Sequence, residues 1–149
     1  MNGTRLEELR ECNNLKSKDI AQALNIHKST YSQWEHNKIP IPTKRILELS
    51  NFYKINIDYI FYLTNKKIYI SPNQNIDLIS IGKRLKEIRK ELGLSLRELG
   101  NELNTAFSSL ASYERGEVLI QSDILISLCQ ISNCSVDWVL GKTDKKYLN

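Results

Sequence analysis

The sequence predicts an all-α protein built from two tandem copies of one five-helix unit joined by a short linker. Three observations carry that expectation. Sliding the 149-residue chain on itself by 79 positions aligns residues 5–67 with 84–146 without a gap. Within each copy, apolar residues recur three to four apart beside charges, the spacing of a helix with one buried face. No alternating apolar–polar run of comparable length competes for a β reading.

The repeat is more than compositional. Identical pairs include Arg5/Arg84, Leu6/Leu85, Arg10/Arg89, Leu15/Leu94, Leu24/Leu103, Asn25/Asn104, Ser29/Ser108, Glu35/Glu114, Leu49/Leu128, Asp58/Asp137 and Thr64/Thr143. Apolar pairs such as Ile20/Leu99, Trp34/Tyr113, Ile46/Leu125 and Tyr59/Trp138 fill the positions between them. Agreement at the apolar positions over an ungapped span marks a duplication of one folded unit.

The first helix of each copy is read in RLEELREC and GKRLKEIRKEL, and the second in KSKDIAQALN and SLRELGNELN. Each second helix ends at an asparagine, a residue that tolerates the left-handed conformation of a helix end. The third helices are contained in HKSTYSQWEHNK (27–38) and AFSSLASYERGE (106–117). Thr43 and Ser122 are expected as N-caps of the fourth helices, TKRILELSNFY and SDILISLCQI. A short fifth helix, IDYIF or VDWVL, places Asp58 or Asp137 near its positive end. The expected boundaries are a first domain at 1–67, a linker at 68–80 (IYISPNQNIDLIS) and a second domain at 81–149. Pro72 and the linker asparagines oppose helix, while IYI and IDLI are apolar enough to dock.

Composition narrows the function classes. The net charge of +4 lies entirely in the first half: residues 1–70 hold 11 Lys/Arg against 7 Asp/Glu, and residues 71–149 hold 10 against 10. A polyanionic partner is therefore expected at the first copy. Cys12, Cys129 and Cys134 are an odd set without a CxxC, and His27 and His36 lie far from them in sequence. Neither a disulfide framework nor a metal site is expected. There is no Gly-rich phosphate loop or identifiable nucleophile–base pair, so neither catalysis nor a cofactor is expected. No apolar run approaches the roughly 18 residues of a membrane span, and the amino-terminal residues do not have the pattern of a secretion signal. The expected location is the cytoplasm.

The two runs LKSKDIAQALNIHKSTYSQWE from Leu15 and LSLRELGNELNTAFSSLASYE from Leu94 resemble the Cro/C1-type helix-turn-helix domain, also called the XRE type. With the flanking RLxExR helix and the later xDxxx helix, the resemblance covers nearly all of the chain outside the linker. It implies a sequence-specific double-stranded DNA-binding transcriptional regulator, commonly a repressor, acting as a homodimer. It also implies structural ion pairs Arg10–Glu35 and Arg89–Glu114 between the first and third helices. The small Ala21 and Gly100 suit a close approach of the second and third helices.

At 100° per residue, Lys28, Ser29, Ser32, Gln33 and His36 share one sector of about 140°, with Tyr31 and Trp34 opposite. The resemblance puts Lys28, Ser29, Ser32 and Gln33 where the family reaches base edges. It puts Ser17 and Lys18 at a phosphate-holding helix start, and His36, Asn37, Lys38 and Lys44 where the backbone is gripped. His27 replaces the family's usual Ser/Thr cap and Asn37 its usual Gly. The helix start is thus open to a shift that would make Lys28 a phosphate contact.

The second copy departs at the same face, where it has Phe107, Ser108, Ala111, Ser112 and Arg115. Residues 16–45 carry six basic and two acidic groups, whereas the aligned 95–124 carry two and five. Phe107 can touch a thymine methyl, but it suits burial against protein. The second domain is expected to serve dimerisation or another protein contact, and no expected role involves a membrane. The alternative for the whole chain is a repurposed helix-turn-helix fold that sequesters another regulator or enzyme.

Overall fold

A computed structural model describes residues 3–72 and 75–148. The chain forms two compact units that divide between Asn73 and Gln74. The first holds α1 (Leu6–Cys12), α2 (Ser17–Leu24), α3 (Lys28–Glu35), α4 (Thr43–Tyr53) and α5 (Ile57–Ile60). The second holds α6 (Leu78–Glu91), α7 (Leu96–Leu103), α8 (Phe107–Glu114), α9 (Ser122–Ser132) and α10 (Val136–Val139). Among the described residues there is no strand, only the isolated bridges Ile55–Tyr69 and Cys134–Tyr147. No described helix is long and apolar enough to cross a membrane.

Each unit folds around the apolar positions shared by the repeat. In the first, Leu6, Ile20, Tyr31, Trp34, Ile46, Leu49, Ile57 and Ile60 are buried. In the second, Leu85, Leu99, Leu110, Tyr113, Leu125, Leu128, Val136 and Val139 occupy the corresponding places. A fully buried aliphatic or aromatic side chain contributes about 1.5–3 kcal/mol, so cores of this kind outweigh the weak propensities of such short helices.

The helix ends follow local chemistry. Asp19 accepts the Lys16 backbone N–H at 2.7 Å, and Ser95 and Glu98 close a full capping box at the start of α7. Asn25 and Asn104 take the left-handed conformation, with φ of 55° and 53°. The N-cap expectation for Thr43 and Ser122 is corrected. Pro42 and Gln121 occupy those cap positions, and Thr43 and Ser122 are first helical residues turned into the interior.

Arg5 and Arg84, identical in the repeat, fasten the first helix region to the end of each unit. The Arg5 guanidinium lies 3.9 Å from the Tyr59 ring centre and donates to the carbonyls of Tyr59 and Thr64. Arg84 stacks on Trp138 and donates to the Trp138 carbonyl. The identity Arg5/Arg84 and the aromatic pair Tyr59/Trp138 were the available signal for this contact.

The chain also folds back beyond the ungapped repeat. The Asn56 N–H donates to the Ile68 carbonyl and the Ile70 N–H to the Lys54 carbonyl; Ser135–Lys146 and Leu148–Asn133 do the same in the second unit, one residue earlier in repeat register. Residues 68–70 therefore pack on the first unit, and α6 starts at Leu78, so the ordered elements extend into the segment expected as linker.

In the second unit this tail is latched to α6. Lys146 Nζ lies 2.7 Å from Glu91 and 3.0 Å from Glu87, and the Tyr147 hydroxyl donates to Glu91 at 2.9 Å. The hydrogen bond from Lys146, then that from Tyr147, holds the Glu91 carboxyl below its ordinary value near 4.5. A depressed carboxylate pKa stabilises the folded contact above the unfolded value and ceases to do so as pH falls through the folded one. The Leu148 and Ser135 amides are thus expected to exchange faster in acid, after correction for intrinsic rates. Glu91→Gln should remove that pH dependence, and an unchanged profile in the variant would discard the latch.

Candidate nucleic-acid interface

Position 28 begins α3 and position 107 begins α8, the same repeat register, so the substitution of His27 for the usual cap has not shifted the helix. His27 holds the N-cap through extended backbone (ψ 143°), without a side-chain cap bond, as does Ala106. The two histidines flank α3 as its N-cap and C-cap rather than lying along it.

The helix is anchored from behind. Tyr31 and Trp34 are buried, their rings edge-on with centroids 6.3 Å apart. The Trp34 indole N–H has no hydrogen-bond partner. Glu35 receives Arg10 Nε at 2.6 Å, and Arg10 also donates to the Leu15 carbonyl at the start of the turn into α2. The carboxylate hydrogen bond raises the Arg10 pKa above its ordinary value. Burial, then Tyr53 and Glu35, raises that of the Tyr31 phenol. The second unit repeats the clamp, with Arg89 Nε at 2.7 Å and Nη2 at 3.0 Å from the Glu114 carboxylate and Nη1 on the Leu94 carbonyl.

On the opposite side of α3, Lys28, Ser29, Gln33 and His36 are exposed and Ser32 is half-buried. Lys18, His27, Asn37, Lys38 and Lys44 are also exposed, and Ser17, first residue of α2, is half-buried. Among the described residues, no salt bridge engages Lys18, Lys28, Lys38 or Lys44. Their charge is free for an external anion. The α2–α3 corner forms an open concavity of about 390 Å³ lined by Lys18, Asp19, Ala21, Gln22, Ile26, His27 and Lys28. Gln22 belongs to this surface and was not among the sequence candidates. Its place four residues after Lys18, on one helix face, was the signal.

Two residues at the far end gain sharper roles. His36 Nδ1 lies 2.7 Å from the Ser32 carbonyl, so this nitrogen carries the proton. Asn37 adopts a left-handed φ of 57°, the conformation Gly116 takes at 74°, which is why Asn substitutes for Gly here.

The equivalent surface of the second unit is chemically occupied. Arg97 stacks on the Phe107 ring at 4.1 Å from its centre. Arg115 is held by Glu117 through contacts of 2.7 and 3.2 Å. Arg115 therefore does not offer the free charge that Lys18, Lys28 and Lys38 offer. Among the described residues, no group of three or more His, Cys, Asp or Glu could hold a metal ion, and no disulfide joins the cysteines, Cys12 being exposed and Cys129 and Cys134 buried.

Both units match known families over most of their length. Residues 3–66 match the family model described as a helix-turn-helix domain, and residues 85–139 match one described as helix-turn-helix. Both units are helix-turn-helix domains of the Cro/C1 type. The chain is 38% identical over 66 residues to the HTH-type transcriptional regulator ImmR of Bacillus subtilis (strain 168), covering 44% of this chain and 52% of that protein. It is 34% identical over 62 residues to the HTH-type regulator YobD of the same organism, covering 42% and 55%. The chain thus spans about half the length of these curated relatives. Among solved structures it is similar to the clp gene regulator ClgR from Corynebacterium glutamicum, at 28% identity and a TM-score of 0.41, over 47% of this chain and 74% of that one.

Proposed function

We propose that this protein is a sequence-specific double-stranded DNA-binding transcriptional regulator, a repressor, whose first unit reads the major groove with the exposed face of α3. The observation that carries the reading is the uncompensated basic and amide-bearing surface around α3, set on a helix fixed from behind by Tyr31, Trp34 and the Arg10–Glu35 pair. Gln33 suits adenine and Lys28 suits guanine, each good bidentate contact giving about 1–3 kcal/mol of discrimination. Ser29 and Ser32 add shorter contacts to base edges. Lys18, Lys38 and Lys44 supply the phosphate neutralisation that drives affinity, with Ser17 and His27 near the helix starts, and His36 and Asn37 near the end of α3. One reader of this size gives modest affinity. A homodimer supplies a second, about 34 Å along one face of the duplex. The protein works in the cytoplasm, where the DNA is.

The test is selection of bound sequences from random DNA by the full chain, followed by titration of the selected site. Lys28→Ala/Gln33→Ala, both changes on exposed side chains, should reduce the preference for the selected site over scrambled DNA by at least about tenfold. Retained preference in that variant would mean another surface reads the bases. The exposed Phe107 keeps a second reading in view, a protein-binding module that sequesters a regulator. That reading predicts no steep loss of DNA affinity with salt, whereas phosphate contacts give a log–log slope of about −0.9 per phosphate.

A further inference from the structure

The second half of the chain is neutral in total, but its charges are sorted. Residues 78–91, the span of α6, carry five basic and two acidic groups, whereas residues 95–124 carry two and five. Two of the five α6 cations are engaged: Arg84 donates to the Trp138 carbonyl, and Arg89 is held by Glu114. The other three, Lys83, Lys86 and Lys90, are exposed, and no salt bridge among the described residues engages them. At 100° per residue they share a sector of about 60°, opposite the buried Ile81, Leu85 and Ile88. Glu87 lies four residues after Lys83 and three before Lys90, the spacing at which a helix pairs opposite charges. It turns instead to Lys146 at 3.0 Å, and Glu91 turns to the same ammonium at 2.7 Å. The latched tail thus takes both α6 carboxylates and leaves a stripe of three uncompensated lysines. The first unit has Thr4, Glu7 and Glu11 at the aligned positions, so the stripe belongs to the second unit alone.

We infer that the α6 lysine stripe of the second unit grips the phosphate backbone of duplex DNA without reading bases. The length fits. Lys83 to Lys90 spans about 10 Å of helix at about 1.5 Å per residue, and a duplex carries one phosphate charge per roughly 1.7 Å of axis. The three ammonium groups therefore reach separate phosphates. The chemistry fits as well. Lysine supplies a mobile point charge to phosphate, without the planar fork that seats arginine on a base edge. Residues 83–90 contain no amide or hydroxyl side chain, so the stripe carries charge and no base-reading group. An acidic protein surface is the poorer occupant, because lysine is depleted where proteins meet proteins. Three phosphate contacts are weak alone, but a reader on the same chain holds the duplex at high effective concentration. The second unit then contributes to DNA affinity through α6 rather than through α8. The inference goes beyond the proposed function and rests on its DNA reading by the first unit.

Lysine acetylation of the full wild-type chain, read by mass spectrometry with and without a scrambled duplex, tests the contact directly. At about 50 mM salt the duplex should slow labelling of Lys83, Lys86 and Lys90 by at least about threefold. Lys83→Gln/Lys86→Gln/Lys90→Gln should weaken binding to the selected and the scrambled duplex alike, by at least about tenfold at that salt. It should also lower the log–log salt slope by about 2–3, since each phosphate contact contributes about 0.9. The ratio between the two duplexes should stay at its wild-type value, and so should the urea midpoint of the second unit. Lys28→Ala/Gln33→Ala does the converse, losing the ratio while keeping the protection of α6, so the two readings fail separately. Lysines that label equally fast with duplex present, or a salt slope unchanged in the triple variant, overturn the inference. Protection by poly-glutamate and not by duplex also overturns it, and assigns the stripe to an acidic protein.

Discussion

Glu35→Ala is expected to unfold most of the first unit at temperatures where the second remains folded. The Glu35 side chain is 3% exposed and that of Arg10 18%, and the carboxylate takes Arg10 Nε at 2.6 Å. Removing one partner of a buried pair leaves the other charge without compensation, at a cost of about 3–5 kcal/mol. A whole domain is typically stable by only about 5–15 kcal/mol, and one of this size lies near the low end. The loss also reaches the site. Arg10 holds the Leu15 carbonyl, and Glu35 is the last residue of α3, so the ion pair fixes both ends of the helix-turn-helix. Each unit contains one tryptophan, Trp34 in the first and Trp138 in the second. Urea unfolding of Trp138→Phe chains by fluorescence therefore reports the first unit. The midpoint should fall sharply with Glu35→Ala, while Glu35→Ala in a Trp34→Phe chain leaves the second unit's transition in place. A shift under about 1 kcal/mol would show that the pair is solvated and expendable, like an exposed salt bridge.

The sequence made this clamp legible because Arg10/Arg89 and Glu35/Glu114 repeat at one offset, so each copy checks the other. The same logic located Tyr31 and Trp34 behind α3. Elements that one copy has and the other lacks were not legible. The first turn of α6, residues 78–81, precedes the GKRLKEIRKEL read as helix and has no counterpart helix before Leu6; only the Asp77 cap, which accepts the Ser80 N–H at 3.1 Å, starts the helix that early. The fold-back tails were hidden for a related reason. Their pairing is between backbone groups, and the two units differ by one residue in register, which ends any ungapped self-match just before it.

The exposed face of α3 shows a different limit. Periodicity identifies the side chains that share a surface, but not which of their groups are already engaged. His36 gives Nδ1–H to Ser32, and Arg115 is bound by Glu117. The resemblance placed His36 where the backbone is gripped, and the charge count of residues 95–124 included Arg115 as a cation without showing what holds it. Both depend on neighbours that pattern does not weigh.

Gly82→Ala should destabilise the second unit by about 1–3 kcal/mol or more, a large effect for one methyl group. Propensity alone predicts the opposite sign, because alanine is favoured over glycine in a helix by about 1 kcal/mol. Contact geometry decides the outcome. The added carbon would sit 2.4 Å from the Glu114 carbonyl oxygen, 2.7 Å from that of Tyr113 and 2.9 Å from the Glu114 carbonyl carbon, all backbone atoms. Backbone cannot rotate aside as a flexible side chain can, so α6 or the end of α8 must move, and overpacking of this kind costs about 1–3 kcal/mol. The movement would fall on Glu114, whose carboxylate Arg89 holds from α6 itself, so the clash strains the ion pair as well. Glycine at the aligned position 3 serves another purpose, since it takes a φ of 80° beside the Asn37 amide rather than a helical conformation. In Trp34→Phe chains, the Trp138 transition should move to lower urea with Gly82→Ala and keep its slope. A transition that moves to higher urea instead would show that α6 stands farther from α8 than these contacts require.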